Sequence, residues 1–239
     1  MSHHLFLRSY WGARTETQER LAERLESFLT ALSTCDPSLT QWFRKGNTKA
    51  VALRQPVALD QTHLIDVIQS GRRGDRPADK ELGFRFGLWT GQDGQAHLEI
   101  ACGITRPLFP NFCLLYFPND EQITRRLHER DKLLALLEAV VRSWEPDWAH
   151  VSSRELEQAV GWPTRSKTTA LPGWLVYLSA ARGRVPRLPP PTRVVPMAPL
   201  GSAVLVGEEI RWHTPEESVE AVRRTMEALG ESGLLGRSS

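Results

Sequence analysis

Between Leu82 and Cys102, apolar side chains alternate with small or polar ones in two runs. These are Leu82-Phe84-Phe86-Leu88 and Ala96-Leu98-Ile100-Cys102, with Gly91-Gln92-Asp93-Gly94 between them. Successive side chains of a strand point to opposite faces, so each run carries one apolar face and one wet face. The turn residues fold one run back on the other, which predicts an antiparallel hairpin with one buried side. Phe112 to Phe117 is nearly continuous in apolar character and reads as a third, more central strand.

The remaining elements mix helices and strands without strict alternation. Leu5-Phe6-Leu7 begins an apolar strand that continues through Tyr10 and Trp11 and turns at Gly12. Thr15 and Gln18 have capping-box spacing, and Leu21, Leu25, Phe28, Leu29 and Leu32 follow on one helical stripe, with Glu19, Arg20, Glu23 and Arg24 on the wet side. Asp36-Pro37 ends that helix, because the residue before proline is pushed out of helical geometry. Asp60 caps a short helix bearing Leu64, Val67 and Ile68, and Ser70 to Asp79 reads as an exposed loop. Asn119 and Gln122 are placed to open one long helix that runs to Pro146. Ala149 to Val151 reads as an edge strand, Ser152 and Glu155 as a capping box, and Gly173 to Ser179 as another strand. Arg182 to Pro191 is basic and proline-rich. A stiff connector fits it better than an SH3-type ligand, and it cannot join a central sheet. Ala203–Val206 and Ile210–Trp212 suggest a hairpin across Gly207, and Thr214-Pro215-Glu216-Glu217 starts a closing helix with Val219, Val222, Met226 and Leu229 inward. The chain after Gly233 reads as loose. The expected fold class is α+β, a mainly antiparallel sheet packed by helices. Residues 1–235 are expected to form one domain, of two halves near 1–150 and 151–235, with 236–239 a tail.

The 239 residues suffice for a sizeable core, and a net charge of +2 does not mark the whole molecule as a binder of nucleic acid or acidic membranes. Cys35, Cys102 and Cys113 are odd in number and lack metal or redox spacing, so they read as small core residues. Neither a signal-peptide pattern nor a membrane-length apolar window occurs, and the expected compartment is the cytoplasm.

Catalytic signatures are missing from the sequence. There is no Walker loop, dinucleotide fingerprint, HExxH or nucleophile elbow. Apart from His3-His4, no histidine lies close to a second histidine or a cysteine. His97 near Asp93 and Glu99 could act as a base, but a solvated cross-strand residue is the simpler reading. Glu208 and Glu209 point to opposite faces if they lie on a strand, which disfavours shared acid/base work. No cofactor or metal is expected. Of eight tryptophans, Trp11, Trp144 and Trp174 lie in apolar runs and belong in the core. Trp89, Trp162 and Trp212 stand beside turns and polar residues, where an indole can serve as a contact anchor.

Tyr10-Trp11-Gly12-Ala13-Arg14, the helix ending at Asp36-Pro37, and Trp42-Phe43-Arg44-Lys45-Gly46 resemble the immunity protein 52 family. Glu81-Leu82-Gly83-Phe84, Gly87-Leu88-Trp89, Gly173-Trp174-Leu175-Val176-Tyr177-Leu178-Ser179 and Gly233-Leu234-Leu235 extend the resemblance, in order, over most of the chain. The resemblance implies a non-enzymatic antidote that binds and neutralises one cognate toxin of a bacterial polymorphic toxin system. Such toxins are often nucleases of the restriction-endonuclease fold, including type VI secretion effectors. A nuclease is positive where it holds phosphates, so an acidic patch on its antidote would speed association. Asp93 beside Trp89, and Glu208-Glu209 near Trp212, are the candidate patches, with Trp162 a further anchor. Two other classes remain: a nucleic-acid binder using Arg72-Arg73 with Arg182 and Arg184, and an enzyme with an unrecognised site.

Overall fold

The computed structural model describes residues 5–74, 76–91, 96–161, 170–207 and 216–236, the side chains of 77 and 78 excepted. Nine strands among them form one antiparallel sheet: β1 (Leu5–Trp11), β2 (Phe43–Arg44), β3 (Phe84–Trp89), β4 (His97–Cys102), β5 (Asn111–Tyr116), β6 (Trp148–Ser153), β7 (Leu175–Ser179), β8 (Arg193–Met197) and β9 (Gly201–Leu205). Their order is β2-β3-β4-β5-β1-β6-β7-β9-β8. The helices are α1 (Gln18–Cys35), α2 (Lys49–Ala52), α3 (Gln61–Ser70), α4 (Glu121–Leu127), α5 (Arg130–Trp144), α6 (Arg154–Val160) and α7 (Glu216–Glu231). The chain is therefore α+β. The predicted hairpin is β3 and β4, with Phe86 opposite Ile100 and Leu88 opposite Leu98 on the buried side.

The two sheet faces are covered unequally. On β1, odd-numbered residues point one way: Trp11 stacks on Trp144 of α5 with ring centroids 5.5 Å apart, and α1 packs on α5 and α3. Even-numbered residues point the other way, where Arg8 pairs with Glu157 of α6 at 3.0 Å, and α6 packs on α7. One layer thus lies under the β3–β6 region, while α6 and α7 lie on the opposite face. Because β6 is covered on both sides, all six of its residues are buried.

Several local expectations are corrected. The cap of α1 is Thr17, whose hydroxyl accepts from the Arg20 amide, in place of Thr15. Arg24 is buried: its guanidinium donates to Glu16 at 2.6 Å and to the Ser143 carbonyl at 2.7 Å. The long helix is two, capped by Asp120 and broken at His128–Glu129, where buried His128 packs near the Phe117 ring. Ala149–Val151 belongs to central β6, flanked by β1 and β7, so it is not an edge. Ser153 caps α6 by accepting from the Leu156 amide, in place of Ser152. Ser70–Asp79 forms a bridge from Arg72 to Phe84 and enters a 3-10 helix at Pro77–Leu82. β9 pairs with β7 and with β8, and the predicted partner 210–212 lies outside the described residues, as does Thr214-Pro215. Leu234 and Leu235 are buried, and the Ala170 amide donates to the Leu235 carbonyl, so the chain just past Gly233 is docked.

Candidate binding face

Opposite the α1–α5 layer, strands β2, β3, β4, β5 and β1 present a face that the described helices leave open. Paired residues in an antiparallel ladder share a face, so the registers list its occupants row by row. One row runs Phe43, Trp89, His97, Tyr116, Phe6; the next runs Gly87, Glu99, Leu114, Arg8; the third runs Arg85, Ala101, Phe112, Tyr10. Most of these side chains are partly exposed, while their neighbours Phe86, Leu88, Leu98, Ile100, Cys113 and Leu115 are buried.

The first row is a floor of rings. His97 stacks on Tyr116 at 4.3 Å and 16°, Phe6 meets Tyr116 edge-on at 6.3 Å, and Phe43 sits 6.5 Å from Trp89. Burial, then the Lys45 ammonium, hold the His97 pKa below its usual value, and Glu99 opposes them only in part. Two glycines make this corner possible. A Cβ on Gly91, whose φ is +89°, would stand 2.7 Å from the Phe43 ring. A Cβ on Gly87 would stand 2.9 Å from the Lys45 side chain, so the bare strand lets that lysine lie across it. Next to this corner, Val51 and Leu53 are 42% and 41% exposed, and Leu53 also approaches Gly91. At the other strand end, Leu108 and Phe109 of the β4–β5 connection are 79% and 40% exposed.

Charges are interleaved with the rings. The Arg85 Nε donates to Glu99 at 2.7 Å, and the Arg8 guanidinium lies 3.7 Å above the Phe6 ring while bonded to Glu157. Tyr10 stacks on Trp148 at 4.7 Å where the face passes beneath α6. There His150 is fully buried. Burial pushes its pKa down to about 3, against the opposing hydrogen bond from Nδ1 to the Pro172 carbonyl.

Of the residues singled out from sequence, Trp89 lies on this face, whereas Asp93, Trp162, Glu208, Glu209 and Trp212 lie outside the described residues. Nothing local in the sequence marks Phe43, Lys45, Tyr116 and Phe6 as members of one face, because register across five strands, and the reach of Lys45 over Gly87, brings them together. Arg72 and Arg182 do not share a patch. Arg72 bridges to β3 and lines a pocket with Arg76 and Lys80, whereas Arg182 follows β7 and donates to the carbonyls of Asp147 and Leu234 at 3.1 and 2.9 Å. Four strands separate β3 from β7, or about 24 Å at the usual strand spacing. The Tyr10–Arg14 motif is a structural junction. Arg14 and Arg24 clasp Glu16 and cap the end of α5 at the Trp144 and Ser143 carbonyls, while the Gly12 amide donates to Asp147 at 2.9 Å.

The geometry defines an α+β protein with an open, aromatic, ion-paired sheet face. Among the described residues, no three His, Cys, Asp or Glu side chains gather to hold a metal ion, and no helix is long and apolar enough to cross a membrane. The chain belongs to the immunity protein 52 family, whose model matches residues 4–238. It is thus an immunity protein, of a class that binds a cognate toxin. No curated protein sequence matches it. Among solved structures it is similar to the Pseudomonas aeruginosa T6SS protein PA0821, at 14% identity and a TM-score of 0.48, over 93% of this chain and 74% of that one.

Proposed function

We propose that this immunity protein acts in the cytoplasm by tight, non-catalytic binding of one toxin, a restriction-endonuclease-fold nuclease delivered by type VI or related secretion. The observation that carries the reading is the family match across residues 4–238. Residues 1–235 act as one unit in it, with 236–239 a tail. The open face supplies the contact, with Trp89 as its anchor beside Phe43 and Leu53. Asp93, Trp162, Glu208, Glu209 and Trp212 complete the proposed contact set, the acidic residues meeting positive surface on the nuclease.

Neutralising a lethal enzyme needs a dissociation constant on the order of nanomolar, about −12 kcal/mol. A buried aromatic anchor contributes about 2 kcal/mol or more of that when truncated. The test is co-expression with the toxin domain encoded beside this gene, together with calorimetry on the purified pair. Protection by the wild type, and roughly thirtyfold weaker binding by Trp89→Ala with unchanged thermal unfolding, is the expected result. Turnover of a substrate by the purified chain, or failure to protect, would refute the reading.

A further inference from the structure

Resting on the reading that this chain neutralises a toxin, we propose that the open sheet face grips an acidic, apolar-flanked segment of that toxin and leaves its phosphate-holding cleft to other surfaces. The face carries the cations Arg8, Lys45 and Arg85 and the carboxylate Glu99 among the described residues, and at its boundary with α6 Glu157 faces Arg8 and feels Arg154 as well. Arg8 pairs with Glu157 and Arg85 with Glu99. Lys45 has no carboxylate within ion-pair distance among the described residues, and its stem lies over Gly87 in the row that contains Glu99. Among the described residues, the face therefore keeps a positive charge without an ion pair near Gly87.

A nuclease cleft that holds phosphates is itself positive. Seating it here would set like charges together as water is excluded, a juxtaposition that costs several kcal/mol. A carboxylate inverts the sign of that interaction. It can pair with Lys45, and the Arg85 side chain is still 49% exposed, so a planar guanidinium with five donors can hold Glu99 on one side and a second carboxylate on another.

The rim supplies the apolar part. Four strands of six or seven residues, with the two-residue β2 beside them, give an area of roughly 300–400 Å², about half of the ~800 Å² per partner of a standard interface. The exposed pairs at opposite ends, Val51 with Leu53 and Leu108 with Phe109, extend it. They require apolar side chains flanking the acidic centre of the occupant. The described face and the acidic residues proposed above are thereby assigned to different parts of the toxin surface.

The sign of a charge reversal decides the matter. Lys45→Glu and Arg85→Glu are to be titrated against the toxin domain encoded beside this gene, with Arg142→Glu on the solvent side of α5 as control and Lys45→Gln as the milder variant. Each reversal on the face should weaken binding about tenfold, chiefly through a slower association whose salt dependence flattens, while Lys45→Gln weakens it less and the control leaves it unchanged. Unchanged affinity with native thermal unfolding would remove this face from the contact. Tighter binding would place it on a basic surface and overturn the proposal. If the wild type itself neither binds nor protects, the functional reading fails instead, and the two failures are told apart.

Discussion

Asp36 joins the end of α1, the 3-10 turn at Pro37–Leu39 and α4 through one buried carboxylate, and its charge should be measurable as stability. It follows the last residue of α1, accepts from the amide and hydroxyl of Ser38 at 2.9 and 2.7 Å, and receives the fork of Arg126 from α4, with Nη2 to Oδ1 at 2.8 Å. Burial alone would raise its pKa. The Arg126 and Ser38 hydrogen bonds outweigh burial and lower it from 3.8 to about 2. At about 1.36 kcal/mol per pKa unit the ceiling is roughly 2.5 kcal/mol. Arg126 is 43% exposed and its charge is screened, so a stabilisation of about 1–2 kcal/mol is expected at neutral pH. The folded value lies below the unfolded one, so this stability is fully present above about pH 4 and is lost as pH falls through about 2. Asp36→Asn keeps an acceptor for Ser38 and deletes the charge. It should unfold about 1–2 kcal/mol more easily in denaturant at pH 7, or roughly 2–8 °C lower for a chain of this length, and the gap to wild type should close between about pH 4 and pH 2. A gap under about 0.5 kcal/mol at pH 7, or one that persists undiminished on acidification, would refute the account.

His150, with its pKa brought down to about 3 chiefly by burial, should stay neutral in the folded protein as pH falls through its usual range near 6.5; an NMR titration of its ring protons with a midpoint near 6.5 would contradict that placement. Its folded value is below its unfolded one, so the unfolded chain takes the proton first and stability falls from about pH 6.5 toward 3, by up to about 1.4 kcal/mol per unit. Cys35, Cys102 and Cys113 are free and buried, and burial raises all three thiols. A thiol reagent should therefore label them only after denaturation, and rapid labelling of Cys102 or Cys113 in the native protein would show that the sheet is more open than described.

What could be read from the chain follows how local each determinant is. The β3–β4 hairpin was legible because its alternation and its turn lie within some twenty residues. The stripe of α1 was legible for the same reason. The central place of β6 was not, because His150, Ser152 and Ser153 look wet in sequence and are buried in a strand on which α5 and α6 both pack and which β1 and β7 flank. β8 escaped notice because Pro196 interrupts it, which an outermost strand tolerates. The break between α4 and α5 carries neither proline nor glycine. Of the proposed binding face, sequence offered Trp89 by its position beside a turn, but Phe43, Lys45 and Tyr116 reach it from β2, from just beyond β2 and from β5. No periodicity within a single segment reports such a meeting.

A half-sheet that the described helices leave uncovered has to avoid sticking to copies of itself, and the way this one does so singles out its face. Exposed strand edges are the usual route to unwanted pairing. The outer side of β2 is occupied, since the Arg44 amide donates to the Gln55 carbonyl and the Val57 amide to the Trp42 carbonyl. At the far edge, β8 is five residues long and contains Pro196, which has no ladder donor. With both edges blunted, association has to use side chains. On the open face the rows hold rings and ion pairs where the covered side holds Leu, Ile and Phe, so water is tolerated while the area available for burial stays large. Indiscriminate apolar contact would bury the Arg85–Glu99 pair and the Lys45 ammonium without new partners, at the cost of their desolvation. A surface built in this way favours a partner whose charges answer its own, which is what an antidote to one particular poison requires.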